Sequence, residues 1–263
     1  GATQCGFCTP GIVVALTGFL LGSKSLSVKD AYAAIEGNIC RCTGYASIRR
    51  AVQRLVERIE LDGCDSANRL SALVDAGLLP AYFRGIPEQL AALPVSRPGP
   101  APVATAVAGG TDLFVQQADA LRDQPLRFLS REPDLRGIEL RDGRIAIGAA
   151  TTTEDLKQSD LLRDTFPVWD RAMQLISSTL IRNRGTVAGN IINASPIGDL
   201  TMLFLALGAV LRIQGAGGSR TVPLDAFYHG YKTFDLCEGE VATEITFLLP
   251  PEGSYLNFEK VSR

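Results

Sequence analysis

The sequence predicts an α+β protein in which a small all-helical domain is followed by a mixed α/β domain. Helix-forming apolar segments separate two cysteine pairs near the N-terminus, which indicates a compact helical domain over residues 1–62. Four prolines within residues 94–102 are typical of a domain boundary. Short strand patterns alternate with helical ones beyond it. We therefore assign residues 101–263 to the mixed α/β domain and residues 63–100 to a helical linker.

The composition is that of an ordinary globular protein. Of its 263 residues, 46% are hydrophobic and 21% are charged, and the length suffices for two domains. A net charge of −2 without a basic tract argues against nucleic-acid binding, and no apolar run reaches the length of a membrane span. We expect a cytoplasmic protein, because clustered thiols without a secretory signature indicate a reducing compartment.

The cysteines form the most informative pattern in the sequence. Cys5 and Cys8 make a C-x2-C pair, Cys40 and Cys42 make a C-x-C pair, and 31 residues lie between the pairs. Close pairs of this kind are more often metal ligands than disulfides. The only histidine, His229, lies far along the chain. Four thiolates without a histidine suit an iron–sulfur cluster as well as zinc, so the spacing leaves both open, with inert thiols as a third alternative.

The residues around the cysteines predict three helices. Pro10 is suited to the first turn of an apolar helix over residues 11–21. Ser27 is a good N-cap for the next helix, which Gly37 is expected to end. Residues 45–60 form an amphipathic pattern with apolar residues at helical spacing. Both cysteine pairs then lie at helix ends, where backbone N–H groups can hydrogen-bond to sulfur.

The second domain contains strands, a hairpin and further helices. A strand leads into Gly109 and Gly110, and Thr111 and Asp112 are candidate helix caps. Asp142-Gly143 predicts a tight hairpin turn. The T-T-T-E sequence at 151–154 is a capping-box pattern and predicts a helix start. A longer helix is expected over 166–180, with Trp169, Met173 and Ile176 in the core. Residues 209–214 pair with 220–222, and residues 241–249 form another strand.

The stretch from Ile181 to Leu200 is unusually polar for a connection between apolar helices. Gly189 and Asn190 can adopt positive φ, and several side chains can hydrogen-bond a polar ligand. These are Thr186, Asn190, Asn193, Ser195 and Asp199. The alternative is a turn whose polar groups hydrogen-bond to one another. The G-G-T-D segment at 109–112, taken alone, could likewise be an ordinary tight turn. We expect His229 to be structural, and Cys64 and Cys237 to be plain thiols.

The segments around the cysteines carry a resemblance to a known family. They read Q-C-G-F-C-T-P-G from Gln4 and G-N-I-C-R-C-T-G-Y from Gly37. Both resemble the second [2Fe–2S] domain of the molybdenum hydroxylases, which include xanthine dehydrogenases, aldehyde oxidases and carbon monoxide dehydrogenases. The resemblance implies that Gln4 contacts the pterin of a partner subunit. The cluster ligands that it implies are Cys5, Cys8, Cys40 and Cys42.

Two segments of the second domain resemble the FAD-binding loops of the same family. They are A-G-G-T-D at 108–112, and R-N-R-G-T-V-A-G-N at 182–190 with A-S-P-I-G-D at 194–199. The resemblance implies a flavin domain of the vanillyl-alcohol oxidase and p-cresol methylhydroxylase type, whose first loop wraps the FAD pyrophosphate. The implied FAD contacts are Val107, Ala108, Gly109, Gly110, Thr111, Asp112, Leu113, Thr186, Gly189, Asn190, Asn193, Asp199 and Lys260.

Two positions in these loops depart from some relatives. Gly110 stands where some carry Asn, and Asn193 stands where some carry Thr. Neither change removes backbone hydrogen-bonding capacity, so FAD remains the expected cofactor.

A cluster domain followed by a flavin domain on one chain resembles the small subunit of bacterial xanthine dehydrogenases. The resemblance implies a large partner that carries a molybdenum–pterin centre and oxidises a purine, in an (αβ)2 heterotetramer. Electrons would pass through [2Fe–2S] clusters to FAD and then to NAD, so no catalytic residue for purine oxidation is expected on this chain. The rival interpretations are the same role in an aldehyde or N-heterocycle oxidase or dehydrogenase, and, more distantly, a zinc-binding module. We expect a fragment, with an additional [2Fe–2S] domain before Gly1 and more of the flavin domain after Arg263.

Overall fold

The computed structural model describes residues 1–23, 26–59, 66–94 and 104–261. It divides into two compact units, Gly1–Ser96 and Arg97–Arg263. Among the described helices, none is both long and apolar enough to cross a lipid bilayer. Cys64 and most of the proline-rich stretch at 94–102 lie outside the described residues.

The first unit is helical in its described part. A 3₁₀ helix at Ala81–Gly85 precedes its last α-helix. The α-helices are α1 (Thr9–Gly22), α2 (Val28–Ala34), α3 (Ala46–Arg58), α4 (Ser66–Asp75) and α5 (Ile86–Ala91).

Local signals set the first two helices. Pro10 lies in the first turn of α1, as predicted. The Ser27 hydroxyl accepts a hydrogen bond from the backbone N–H of Asp30 at 3.1 Å, which confirms the predicted N-cap. The prediction that Gly37 ends α2 is wrong, because the helix ends at Ala34. The backbone N–H groups of Ile35 and Glu36 donate to carbonyl oxygens three residues earlier, so the chain leaves the helix through a tighter turn.

The third helix has the predicted amphipathic character. Ile48 and Val52 are buried, whereas Arg50 and Arg54 are exposed on the other side. Helix α4 lies within the range that we predicted as a linker, and its Leu73 is buried in the same apolar cluster. The core of the first unit therefore includes residues on both sides of the 60–65 segment.

The second unit combines a five-stranded sheet with short helices. The strands are β1 (Thr105–Val107), β2 (Leu126–Phe128), β3 (Ile138–Arg141), β4 (Arg144–Gly148), β5 (Val210–Gly215), β6 (Gly218–Pro223), β7 (Tyr228–Gly230), β8 (Thr233–Phe234) and β9 (Val241–Leu248). The helices are α6 (Leu113–Gln116), α7 (Ala118–Leu121), α8 (Thr153–Gln158), α9 (Asp160–Thr165), α10 (Trp169–Gln174), α11 (Thr179–Arg182), α12 (Val187–Ile192), α13 (Asp199–Ala206) and α14 (Leu224–Phe227).

The strand order explains how distant parts of the chain come together. The large sheet is antiparallel, with the order β3-β4-β9-β5-β6. The strands β1 and β2 form a separate parallel pair, and β7 pairs with β8. Asp142 and Gly143 have φ of 52° and 70° between β3 and β4, which confirms the predicted hairpin turn.

The main core lies between the large sheet and the helices from α8 to α13. Trp169 is fully buried there, and its indole N–H donates to the carbonyl oxygen of Leu156 at 2.8 Å. Met173 and Ile176 are buried as predicted. A continuous helix over 166–180 is wrong, because α10 ends at Gln174 and Ser177 has a φ of 52°.

A buried arginine explains that break. The Arg182 guanidinium donates to the carbonyl oxygens of Ile176 and Ser177 at 3.1 and 2.8 Å, so these carbonyls are not available to continue a helix. Its Nε donates to Glu154 at 2.8 Å. The pKa of Glu154 lies below its ordinary value: burial alone would raise it, but hydrogen bonds from Arg182 and Gln158 more than offset that effect.

The start of α8 also differs from the prediction by one residue. The capping box joins Thr152 to Asp155, whereas we placed the motif at 151–154. The Thr152 hydroxyl accepts from the Asp155 N–H at 3.1 Å, and the Asp155 carboxylate accepts from the Thr152 N–H at 3.0 Å. Glu154 is therefore free to pair with Arg182.

Glu154→Gln tests how much the buried ion pair stabilises this unit. At neutral pH we expect a loss on the order of 1–3 kcal/mol in the free energy of unfolding, because Arg182 loses its charged partner. The pKa of Glu154 is lower in the folded protein than its ordinary value of 4.5. Its contribution to the free energy of unfolding is therefore complete above pH 4.5 and is lost as the pH falls through the folded-state pKa. Denaturant unfolding from about pH 7 to about pH 3 should show the two proteins converging.

Glu139→Gln is the matched control, because Glu139 forms an exposed ion pair with Arg141. Exposed pairs of this kind contribute little to stability, so this variant should stay close to wild type. A Glu154→Gln stability difference that persists unchanged at low pH would contradict the assigned role.

Candidate functional site

The four predicted cysteine ligands lie together at one end of the first unit. Cys8 occupies the N-cap position of α1, and Cys40 and Cys42 lie between α2 and α3. The Sγ atoms of Cys5 and Cys42 are 3.4 Å apart, and Cys8 is hydrogen-bonded to Cys40. The site thus consists of two cysteine pairs, each joining one residue of C-x2-C to one of C-x-C.

The first pair is the more exposed one. The backbone N–H of Phe7 and the thiol of Cys42 lower the pKa of Cys5, because both stabilise its thiolate. The pKa of Cys42 is raised, chiefly because its thiol donates to Cys5. One member of this pair therefore has a stabilised thiolate.

The second pair follows the same pattern. The pKa of Cys40 is lowered to about 7 by hydrogen bonds from the Thr43 hydroxyl, 3.2 Å away, and from the backbone N–H groups of Thr43 and Cys42. Burial, followed by the hydrogen bond to Cys40, raises the pKa of Cys8. Thr43 is thus a contributor to this site, although we did not assign it a role from the sequence.

These features fit a two-iron cluster. A [2Fe–2S] cluster is held by four thiolates shared between two irons, so two pairs of thiols match its donor set. Backbone N–H groups directed at Cys5 and Cys40 add the hydrogen bonds that such sulfurs accept.

The first predicted flavin loop follows β1 and packs against the second. A β-carbon on Gly109 would overlap the carbonyl oxygen of Arg184 and lie 2.7 Å from its carbonyl carbon. Gly109 is therefore required for the contact between the loops. We expected it to meet the FAD pyrophosphate, and that role stays a prediction.

The rest of the first loop is only half-buried. Gly110 has a φ of 72°, and the Phe114 side chain lies against it. The predicted capping by Asp112 is wrong in detail, because Asp112 occupies the N-cap position of α6 but makes no side-chain cap. Its carboxylate instead accepts from the Gln116 amide at 3.0 Å.

The second loop is fixed by hydrogen bonds around Thr186. The Thr186 hydroxyl accepts from the backbone N–H of Gly189 at 3.1 Å and so caps α12. A β-carbon on Gly189 would lie 2.8 Å from that hydroxyl and 3.6 Å from the Ala108 methyl group. Gly189 and Asn190 do not use the positive φ that they can adopt, because both lie in α12, and Ala194 has the positive φ instead.

Polar side chains after α12 also come together. Asn190 accepts hydrogen bonds from the buried Thr201, a residue that we did not single out from the sequence. Asp199 and Lys260 form an ion pair at 2.6 Å, although they lie 61 positions apart in the sequence. Lys260 also donates to the carbonyl oxygen of Leu175 at 3.4 Å. Asn193 lies on the same half-buried surface, at the C-cap of α12.

The arrangement of this surface fits a flavin nucleotide. Gly109 and Gly189 let the two loops pack closely, and glycine-rich loops of this kind are suited to an FAD pyrophosphate. Asn190, Asp199 and Lys260 add donors and acceptors at its border. His229 is exposed on β7, and Cys237 is an exposed free thiol.

Two protein families match the chain. The family described as "[2Fe-2S] binding domain" matches residues 1–53, and the family described as "FAD binding domain in molybdopterin dehydrogenase" matches residues 86–250, more than half of the chain. The folds and sites define a flavin and iron–sulfur protein, with the cluster in the first unit and FAD in the second. The chain belongs to the molybdenum hydroxylase family.

The curated relatives differ in how much of the chain they match. The carbon monoxide dehydrogenase medium chain of Hydrogenophaga pseudoflava is 34% identical over 60% of this chain and 55% of its own length. The xanthine dehydrogenase/oxidase of Felis catus is 25% identical over 99% of this chain and 24% of its own length. This chain therefore spans about half, or less, of the length of these relatives.

Solved structures support the same fold. Carbon monoxide dehydrogenase from Hydrogenophaga pseudoflava has a TM-score of 0.57 at 34% identity, covering 61% of this chain and 56% of that chain. Quinoline 2-oxidoreductase from Pseudomonas putida 86 has a TM-score of 0.52 at 26% identity, covering 56% of this chain and 52% of that chain.

Cys42→Ser tests the ligand assignment. A hydroxyl is a poor replacement for a thiolate ligand, so we expect the variant to lose its cluster or to hold it weakly. Iron analysis and electron paramagnetic resonance of the reduced protein measure this. Cys237→Ser is the matched control, because its thiol is exposed in the other unit. Identical spectra from the two variants would show that Cys42 is not a ligand.

Gly109→Ala tests the contact between the flavin loops. The new methyl group would overlap the Arg184 carbonyl and force the loops apart, so we expect protein that is depleted in FAD but still holds its cluster. The flavin-to-iron ratio measures the effect. Gly217→Ala is the matched control, because a β-carbon there meets open space. Full FAD occupancy in Gly109→Ala would refute the assigned contact.

Proposed function

We propose that this chain is the electron-transfer subunit of a xanthine dehydrogenase-type molybdenum hydroxylase. Electrons from a purine oxidised on a partner subunit would pass through [2Fe–2S] clusters to FAD and then to NAD. The observation that carries this proposal is the presence of paired thiols and a two-loop flavin site on one chain, in that order.

The extent of the comparisons supports a xanthine dehydrogenase type. Relatives named xanthine dehydrogenase match over 92% to 99% of this chain. Relatives named medium chain match over 60% or less. The domain order of this chain therefore agrees best with the proteins that are named for xanthine.

The residues of this chain would bind and orient the cofactors. The four thiolates would hold a one-electron carrier, and N–H groups directed at Cys5 and Cys40 would favour their charged form. Bound FAD supplies the link between one-electron carriers and a hydride acceptor such as NAD. The flavin loops would exclude bulky side chains from the pyrophosphate, and Asp199 and Lys260 would line the same site.

The surface beside the cysteines supports a partner with a pterin centre. Phe7 is 93% exposed and Ile39 is 71% exposed, and each lies within two residues of a cysteine. Exposed apolar side chains that form a patch mark protein interfaces. Gln4 is exposed in the same segment, as expected for a residue that contacts a cofactor on another subunit.

A second candidate is the same role in an aldehyde or N-heterocycle dehydrogenase. It is supported by a relative named glyceraldehyde dehydrogenase medium chain, 30% identical over 53% of this chain. The alpha subunit of the 6-hydroxypseudooxynicotine dehydrogenase complex of Paenarthrobacter nicotinovorans is 31% identical over 60% of this chain. Because the substrate site would lie on the partner, the two candidates share every role proposed for this chain.

The division of labour between subunits is testable. We expect the full-length subunit, purified without its partner, to reduce an artificial dye with NADH through FAD and to leave xanthine unchanged. Addition of the molybdenum subunit should produce NAD reduction that depends on xanthine. Gln4→Ala should slow only this coupled reaction, and the NADH–dye reaction of the same preparation is its internal control.

Each result bears on a different part of the proposal. Xanthine oxidation by the lone subunit would place the substrate site on this chain and contradict the proposed division of labour. Coupled activity with an aldehyde or a quinoline, but not with xanthine, would favour the second candidate. Stoichiometric zinc without iron would overturn the cluster assignment and leave the zinc-binding module.

A further inference from the structure

Thr201 makes two hydrogen-bond contacts with the second flavin loop. It lies in the first turn of α13 and is 5% exposed. Its backbone N–H donates to the Asn190 side-chain oxygen Oδ1 at 3.2 Å, and its hydroxyl lies 3.3 Å from the same oxygen. Helix α13 thus holds one end of the Asn190 amide.

This contact determines which end of the amide is free. An asparagine side chain has one oxygen that accepts hydrogen bonds and one NH₂ group that donates two. The Thr201 backbone N–H can only donate, so the group that faces it must be the oxygen. Rotating the amide by half a turn would place two donors against each other in a partly buried position, which is unfavourable.

The other end of the amide is available to a ligand. Among the described residues, Nδ2 of Asn190 has no hydrogen-bond partner, and the residue is half-buried within the second flavin loop. Close packing preserves this arrangement. A β-carbon on Gly198 would lie 3.0 Å from the Thr201 hydroxyl and 3.2 Å from Asn190 Oδ1.

We propose that Thr201 is a positioning residue that fixes the Asn190 amide as a hydrogen-bond donor to FAD. The inference rests on the proposed FAD site and adds the direction of the hydrogen bond and the residue that sets it. Phosphate, ribityl and ring carbonyl oxygens of FAD all accept hydrogen bonds, so a fixed donor suits each of them. Thr201 itself does not contact the flavin.

A double-mutant cycle separates positioning from general stabilisation. The deflavinated full chain is titrated with FAD, and the dissociation constant is read from the quenching of flavin fluorescence. With Asn190 intact, Thr201→Val and Thr201→Ala should raise the constant about three- to tenfold, because the amide keeps the backbone N–H contact but loses the hydroxyl that lies 3.3 Å from the same oxygen. In the Asn190→Ala background, the same substitutions should change it by less than about twofold.

Three further variants sharpen the test. Thr201→Ser keeps the hydroxyl and should stay within about twofold of wild type. Thr165→Val removes a half-buried hydroxyl that bonds to the Leu161 carbonyl, away from the flavin loops, and should leave FAD affinity unchanged. Asn190→Asp should bind FAD poorly at neutral pH and regain affinity as pH falls, because only a protonated carboxyl group can donate.

The outcomes are distinct. Equal losses of FAD affinity from Thr201→Val in both backgrounds would show a merely structural role and overturn the inference, as would unchanged affinity in the Asn190 background. Asn190→Asp with wild-type affinity at neutral pH would show that the amide does not act as a donor. A wild-type chain that binds no FAD would overturn the proposed function itself.

Discussion

The flavin unit depends on the direct contact between two backbone segments. At Gly109 the first loop approaches the Arg184 carbonyl so closely that no side chain fits between them. A contact of this kind cannot accommodate an added side chain, because backbone atoms cannot rotate away as a flexible side chain can. The remaining interactions in this region can be understood as holding the second loop at the required distance.

Several of those interactions reach the second loop from its buried side. The Arg182 guanidinium ties the start of the loop to Glu154 on α8. The Thr153 hydroxyl donates to the Gly185 carbonyl oxygen at 3.2 Å, and Thr201 holds Asn190. Each group is largely buried, so its hydrogen bonds are shielded from competition by water. The polar residues of the second loop are thus supported by a second layer of polar contacts rather than by apolar packing alone.

The sequence predicted the parts of this structure that depend on neighbours in the chain. Ser27, the Asp142-Gly143 turn and the amphipathic α3 follow local rules, and the structure confirms them. The break near Ser177 was missed because Arg182 takes its carbonyl, and the ion pair of Asp199 with Lys260 joins residues 61 positions apart. Thr201 carried no signal, since a threonine in the first turn of an apolar helix is ordinary. The cysteine pairs could be grouped from their spacing, but which thiol faces which required three-dimensional geometry.

The two units bury separate apolar cores, and this has a consequence for how such proteins evolve. The first core draws its residues from the segment up to Phe83, and the main second core begins at Ile138. Among the described residues, neither cluster includes a side chain from the other unit, so a gene could be split or fused between them without removing a residue from either cluster. Natural selection can then recombine a redox module with a flavin module as intact pieces. The relatives that match 60% of this chain and those that match nearly all of it are consistent with such rearrangement.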